Sequence, residues 1–289
     1  MKISAFMAIA MGTALLPHIV NAAPAKAQER TMAPRGEEAR VADARSAASR
    51  AEMMDAFDRA AMVAEDAFRS ADPDANVPVI VVPDGEDAFR AVVLSDTPVP
   101  QAVVTRAVAR YRVGAGRALS GGMVEDPAER TLSPVERRLA SARAAALEER
   151  EIRGLPLCSE RPPRTIILST GADGTVPVYV MSARRDAGVL PTGGHYRFDI
   201  DGAGAVARWR VMAGGCRDAR WDVDDPELDK QVFVLAHTLD DHPNAVLMLL
   251  SRRLPFSMGV VTGDVIWPVI GGEVTTPVPM MDDLLPAEE

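Results

Sequence analysis

The stretch from His237 to His242, "HTLDDH", places two imidazoles and two carboxylates within six residues. His237, Asp240, Asp241 and His242 are donor types that hold zinc or copper, and a bound ion of that kind activates water for hydrolysis. The spacing argues against it, because five residues from His237 to His242 fit neither one helix face nor one strand face. His237 shares a strand face with Phe233 and Leu235, while Asp240, Asp241 and Pro243 compose a polar turn. The expectation is no metal and no cofactor, with these four residues kept as the one metal candidate.

A second candidate runs from Gly194 to Cys216, "GHYRFDIDGAGAVARWRVMAGGC". Two aspartates around Ile200 suggest a calcium loop. With Asp199 and Asp201 as its third and fifth ligands, Arg197 falls at the first position and Arg208 at the bidentate acid, so the loop fails. Period two is clear instead. Tyr196, Phe198 and Ile200 point one way; His195, Arg197 and Asp199 point the other. The pattern predicts a hairpin with a two-residue Asp201-Gly202 turn pairing Ile200 with Ala203, since a four-residue loop sets Arg197 opposite Arg208. His195 then lies solvated on a polar face beside arginines.

Other chemistries have little to stand on. "GAGRALSGG", Gly114 to Gly122, fails the dinucleotide fingerprint at Leu119 and reads as a flexible loop. No Gly-x-Ser-x-Gly occurs, and Ser120 and Ser169 lack the nucleophile-elbow pattern. A cooperating carboxylate pair has no local spacing to find, and the few aromatics do not suggest a sugar site.

Location is the most specific signal. Lys2, an apolar run from Ile3 to Leu16 and small residues at Val20-Asn21-Ala22 form a signal peptide over 1–22, with a later cleavage after Ala27 as the alternative. The apolar core is shorter than the ~20 residues of a membrane span, and no other stretch reaches that length. The expected mature chain, about 265 residues, is soluble and exported, periplasmic or secreted, with no transmembrane segment. In that setting Cys158 and Cys216, the only cysteines, are expected to form one structural disulfide. The formal net charge of −9 becomes more negative once Lys2 leaves, which disfavours nucleic acid and anionic membranes as partners. The arginines are scattered among acids and form no stripe.

The elements that must position these residues fall into two parts. A loose leader covers 28–36. Residues 37–70 lack Gly and Pro and carry an apolar line through Val41, Ala44, Ala48, Ala51, Met54, Phe57, Ala61, Ala64 and Phe68, so a long amphipathic helix is expected within 28–75. Residues 76–154 read as a mixed segment. It holds one edge strand at "VPVIVVP", a second helix over 100–112 on Val104, Ala107, Val108 and Tyr111, and a capped helix from Ser133-Pro134-Val135-Glu136 to Arg153. That last helix, with Val135, Leu139, Ala142 and Ala146 inward, is the expected antiparallel partner of the first.

Residues 155–275 form a β-rich domain, with strands near 164–170, 176–183, 194–200, 203–212, 231–238, 256–262 and 264–270. Ala245 to Leu254 is ambiguous between buried strand and helix and leans to helix. Residues 276–289 read as a disordered acidic tail.

The fold class expected is α+β: an Ala-rich helical region followed by an antiparallel sheet. Flat up-and-down strands would hold Cys158 and Cys216 too far apart to bond. Either the sheet curls strongly into a sandwich or partial barrel, which is preferred, or the lead-in from Cys158 to Arg164 crosses beneath it. The function expected is a non-catalytic module binding an envelope or secreted protein, with Met280, Met281, Leu284, Leu285 and the helical stripe as contact candidates. The alternative is a metal-assisted or carboxylate-based hydrolase at His237–His242.

Overall fold

The computed structural model describes residues 36–73, 77–99, 102–184 and 186–280. The expected signal peptide, most of the leader, and Met281, Leu284 and Leu285 of the tail lie outside the described residues.

Helix α1, Glu37–Arg69, buries the apolar line expected of it: Ala44, Ala51, Met54, Phe57, Ala61, Ala64 and Phe68 are buried, with Val41 and Ala48 half-buried. Asp55 and Asp58 are buried on the same helix. The next segment departs from the expectation. It contains two strands rather than one, β1 (Val79–Pro83) and β2 (Ala88–Val99), and β1 does take the sheet edge. The helix expected over 100–112 is strand β3, Ala102–Gly114. Val104, Ala107, Val108 and Tyr111 fit helical spacing. From Thr105 to Val113, however, the buried positions are Ala107, Ala109, Tyr111 and Val113, which alternate, and β2 supplies the antiparallel partner.

The expected loop 114–122 is also β-structure. Strand β4, Arg117–Met123, pairs with β3 through a tight turn in which Ala115 and Gly116 both adopt positive φ. That is the geometry a two-residue hairpin turn requires. The four strands lie in the order β1-β2-β3-β4.

Helix α2, Pro134–Ile152, starts as its sequence dictates. The Ser133 hydroxyl accepts the Glu136 N–H, and the Glu136 carboxylate accepts the Ser133 N–H. Leu139, Ala142 and Ala146 are buried, but Val135 is exposed. α2 is not the partner of α1. Val79, Val81, Ala91 and Val93 join α1 in one core cluster; Ile80, Val92 and Leu94, on the other face of the same strands, join α2 in a second. The sheet separates the two helices, and each alanine-rich stripe packs close to strands.

Beyond α2 come β5 (Arg164–Ile167), β6 (Val176–Met181), β7 (Val189–Pro191), β8 (His195–Ile200), β9 (Val206–Ala213) and β10 (Asp218–Arg220). β5-β6-β8-β9 form an antiparallel sheet in up-and-down order, while β7 pairs with β10. The expected two-residue turn is replaced by a loop over 201–205: Ile200 faces Val206, and Arg197 faces Arg210 across the pair. The like-charge clash is relieved because each guanidinium has a carboxylate, Asp199 for Arg197 and Asp240 for Arg210. Asp201 organises the loop by accepting the N–H groups of Ala203 and Ala205.

No sheet among the described residues closes on itself or curls strongly. Cys158 and Cys216 nevertheless form the disulfide, with Cα atoms 5.1 Å apart. The route is the segment that ends at Cys158, just ahead of the expected lead-in. Tyr196 donates to the Pro156 carbonyl at 2.6 Å, and the Cys158 N–H donates to the Ser182 hydroxyl at 2.8 Å, so residues 156–158 cross the ends of β6 and β8. Gly194 makes room: a Cβ there would stand 2.8 Å from Cys158 N and 2.9 Å from its Sγ.

The last part is β11 (Val232–Ala236), α3 (Ala245–Arg253), β12 (Ser257–Thr262), β13 (Val265–Ile270), β14 (Glu273–Val274) and β15 (Val278–Pro279). The ambiguous segment is a helix, capped by the Asn244 side chain. Ala245 to Ser251 are all buried, and such an all-round apolar helix belongs at the centre of a core. It lies against α1 and connects β11 to β12, which pair in parallel, so this sheet is mixed rather than wholly antiparallel. The start of the expected disordered tail is ordered: β15 pairs with β13, and Met280 N–H donates to the Asp264 carbonyl. Among the described residues, no helix is long and apolar enough to cross a membrane.

Candidate functional site

The metal candidate sits at the head of α3. His237 is buried, and its Nε2 lies 3.0 Å from Asp240 Oδ2. Asp240 accepts both of its bonds from Arg210 at 2.7 Å and a third from Asn244 at 3.2 Å. Burial works to raise the Asp240 carboxyl, but the bonds from His237, Arg210 and Asn244 outweigh it and hold the group well below the usual carboxylate range. Asn244 completes the network. Its amide donates to the Met212 carbonyl at 2.7 Å while its oxygen accepts the N–H groups of Val246 and Leu247. Asp241 and His242 bond each other at 2.9 Å, and the Asp241 carbonyl accepts from Thr262. The four candidates thus split into two pairs. Among the described residues, no three His, Cys, Asp or Glu side chains gather as a group able to hold a metal.

The other histidine of interest, His195, is not solvated as expected but fully buried. Its Nδ1 accepts the Ser182 N–H at 3.2 Å, and Nε2 lies 3.2 Å from the Pro191 carbonyl, which fixes Nε2 as the protonated nitrogen. Burial brings its pKa down to about 4, with Arg253 adding repulsion. It is a neutral structural group beside the disulfide. Ser120 and Ser169 are exposed, on β4 and in the loop before β6.

A ligand-sized concave feature lies elsewhere, at the foot of α3. A cleft of about 740 Å³ opens between α1, the lead-in to β5, the segment after β6 and the end of α3. That volume lies in the range of small-molecule sites. Four carboxylates and eight arginines line it. On the α1 wall, Asp58 is shared between Arg164 and Arg253, and Asp55 between Arg59 at 2.8 Å and Arg252 at 3.2 Å. Glu65 takes Arg164 at 2.7 Å, and Asp66 takes Arg69 at 2.7 Å. These pairs tie α1 to α3 and β5.

The opposite wall is different. Arg161 donates to the Arg184 carbonyl at 3.3 Å and, among the described residues, pairs with Asp186, 3.6 Å away. Arg184 donates through Nε to the Asp186 carbonyl and lies 5.2 Å from the Trp221 ring. Arg143 donates to Thr165. Val79, Leu190 and Leu250 provide apolar floor.

Compared with protein-family models, with curated proteins and with solved structures, the chain matches none.

Sequence reasoning missed the cleft because its arginines come from α1, α2, the lead-in, the segment after β6 and α3. Nothing local links them. Two short signals were there to find: Arg161-Pro-Pro-Arg164, which puts cations on a stiff lead-in, and the Arg252-Arg253 doublet closing an apolar helix.

Proposed function

We propose that this chain is exported and works outside the cytoplasm as a non-catalytic binding module whose contact surface is the arginine-lined cleft. The cleft carries the reading: it is concave and ligand-sized, and each of its four carboxylates is held by arginine rather than left to act as a base. Its hydroxyls are occupied too, since Ser182 Oγ takes part in bonds to Cys158 N, Gly193 O and Gly194 O. The Cys158–Cys216 bridge and the signal-like residues 1–22 support the compartment, because such bridges persist where the environment oxidises. A hydrolase at His237–His242 draws no support from geometry in which Asp240 is committed to Arg210, His237 and Asn244.

The test is position-resolved cross-linking in intact cells expressing the full chain. A photo-reactive residue at Met62, exposed on the cleft rim, should capture an envelope component. One at Leu239, equally exposed near the head of α3, should not. Equal capture at both positions, or capture at Leu239 alone, would refute the reading.

A further inference from the structure

Four positive charges in excess are gathered in one cleft of a chain whose formal net charge is −9. We propose that the cleft takes an amphiphilic oxyanion, a phosphate or carboxylate group bearing an apolar body, with Arg161 and Arg184 holding the charged end. This rests on the reading of the cleft as the contact surface.

The charge balance selects the wall. Asp55 and Asp58 each meet two guanidiniums, so the α1 side is internally neutralised and its carboxylates repel an incoming anion. Arg161 and Arg184 lie across the cleft, where Asp186 is the acidic neighbour, itself exposed and 3.6 Å from Arg161. Like charges placed together cost energy that a bound anion offsets. Both arginines also border a second, more open cavity of about 500 Å³, so they are reached from two sides. A guanidinium offers paired N–H donors that match carboxylate and phosphate oxygens, and among the described residues the hydrogen bond Arg184 donates is from Nε, to the Asp186 carbonyl.

The site is also held in place before any ligand arrives. Arg161 stands three residues after the disulfide-bonded Cys158 and is followed by two prolines. Arg184 is backed by the Trp221 ring. Groups fixed in this way lose little freedom on binding. The apolar half of the ligand follows from the floor, where Val79, Leu190 and Leu250 line the same cleft. A bare inorganic ion leaves that surface uncovered.

The experiment is calorimetric titration of the mature, disulfide-intact chain with n-octyl phosphate, inorganic phosphate and the neutral n-octyl glucoside. Octyl phosphate should bind at least about tenfold more tightly than either of the others, and more weakly as salt rises from about 0.05 M to about 0.5 M. The double variant R161Q/R184Q should lose about tenfold, and R161K/R184K should recover part of it. Retention of the disulfide and an unchanged melting temperature establish that the variants fold. Co-sedimentation with phosphatidylglycerol vesicles, but not phosphatidylcholine vesicles, and its loss in R161Q/R184Q, would identify a lipid headgroup as the source. Binding of octyl phosphate without vesicle binding would identify a free anion. Octyl glucoside binding as tightly as octyl phosphate, unaffected by R161Q/R184Q, would overturn the oxyanion assignment while leaving the cleft as a contact surface. Binding of none of the three would overturn the oxyanion assignment, while the contact-surface reading stands or falls on the cross-linking at Met62.

Discussion

The two ends of helix α3 are built from the same kinds of residue and do opposite things. At its head, Asp240, His237, Arg210 and Asn244 satisfy one another and the first helical N–H groups, and the cluster is closed. At its foot, Arg252 and Arg253 meet Asp55 and Asp58 of α1, and the network opens into a cleft with cations to spare. Both ends suit the helix dipole, with an acid near the N-terminus and cations at the C-terminus. What separates them is balance. A polar cluster with no donor or acceptor left over is scaffolding, whereas a surplus of one charge facing a cavity is available to a ligand.

The strongest way to break the foot is Asp58→Ala. Asp58 is buried between Arg164 and Arg253, and its loss takes the carboxylate from Arg253 and leaves Arg164 with Glu65 alone, at the junction of α1, β5 and α3. The expected loss is about 4 kcal/mol, read from urea denaturation at neutral pH.

Acid should weaken the end of β8 beside the disulfide, where His195 is buried. His195 titrates near 4 when folded and near 6.5 when unfolded, so its contribution is complete above the unfolded value. It falls as pH drops through that window, because the unfolded chain then binds the extra proton. The total is about 3 kcal/mol between pH 6.5 and 4. In His195→Gln the stability profile should be flatter over that range. An equally steep profile would place the titration on another group.

At the head, Asn244→Ala removes the cap of α3 and leaves the Met212 carbonyl without its donor. The expected cost is about 2 kcal/mol, with Asp240→Asn close behind. The smallest effect sharpens the contrast: R161Q/R184Q should change stability by less than about 0.5 kcal/mol, because both side chains are exposed and not part of the α1–α3 clamp. A large loss there would make Arg161 and Arg184 scaffolding too.

How much of this was legible depends on how local each signal was. The capping box at Ser133 and Glu136 is complete within four residues, and α2 starts where it says. The buried line of α1 is likewise periodic over many turns. Strand β3 was not legible as a strand, because alanine and arginine suit helices and the register that decides the matter comes from β2. The β8–β9 register failed for a related reason. Avoiding Arg197 opposite an arginine assumed bare charges, but Asp240, distant in sequence, neutralises Arg210. Cys158 and Cys216 were readable as a pair, and a crossing segment was the second of the two routes expected, but the choice between them was not readable, since it depends on Gly194 and Ser182 meeting Cys158. At the candidate site, four residues close in sequence proved to be two separate pairs. The arginines of the cleft, far apart in sequence, came together only in the fold.

The most direct test asks which end of α3 is the working end. Hydrogen exchange of the disulfide-intact chain would be followed by mass spectrometry, with and without octyl phosphate and, separately, zinc. The account predicts that octyl phosphate slows exchange in segments 161–168 and 182–190 and that zinc changes nothing at 237–242. Protection of 237–242 by zinc, with no effect of octyl phosphate around Arg161 and Arg184, would contradict it.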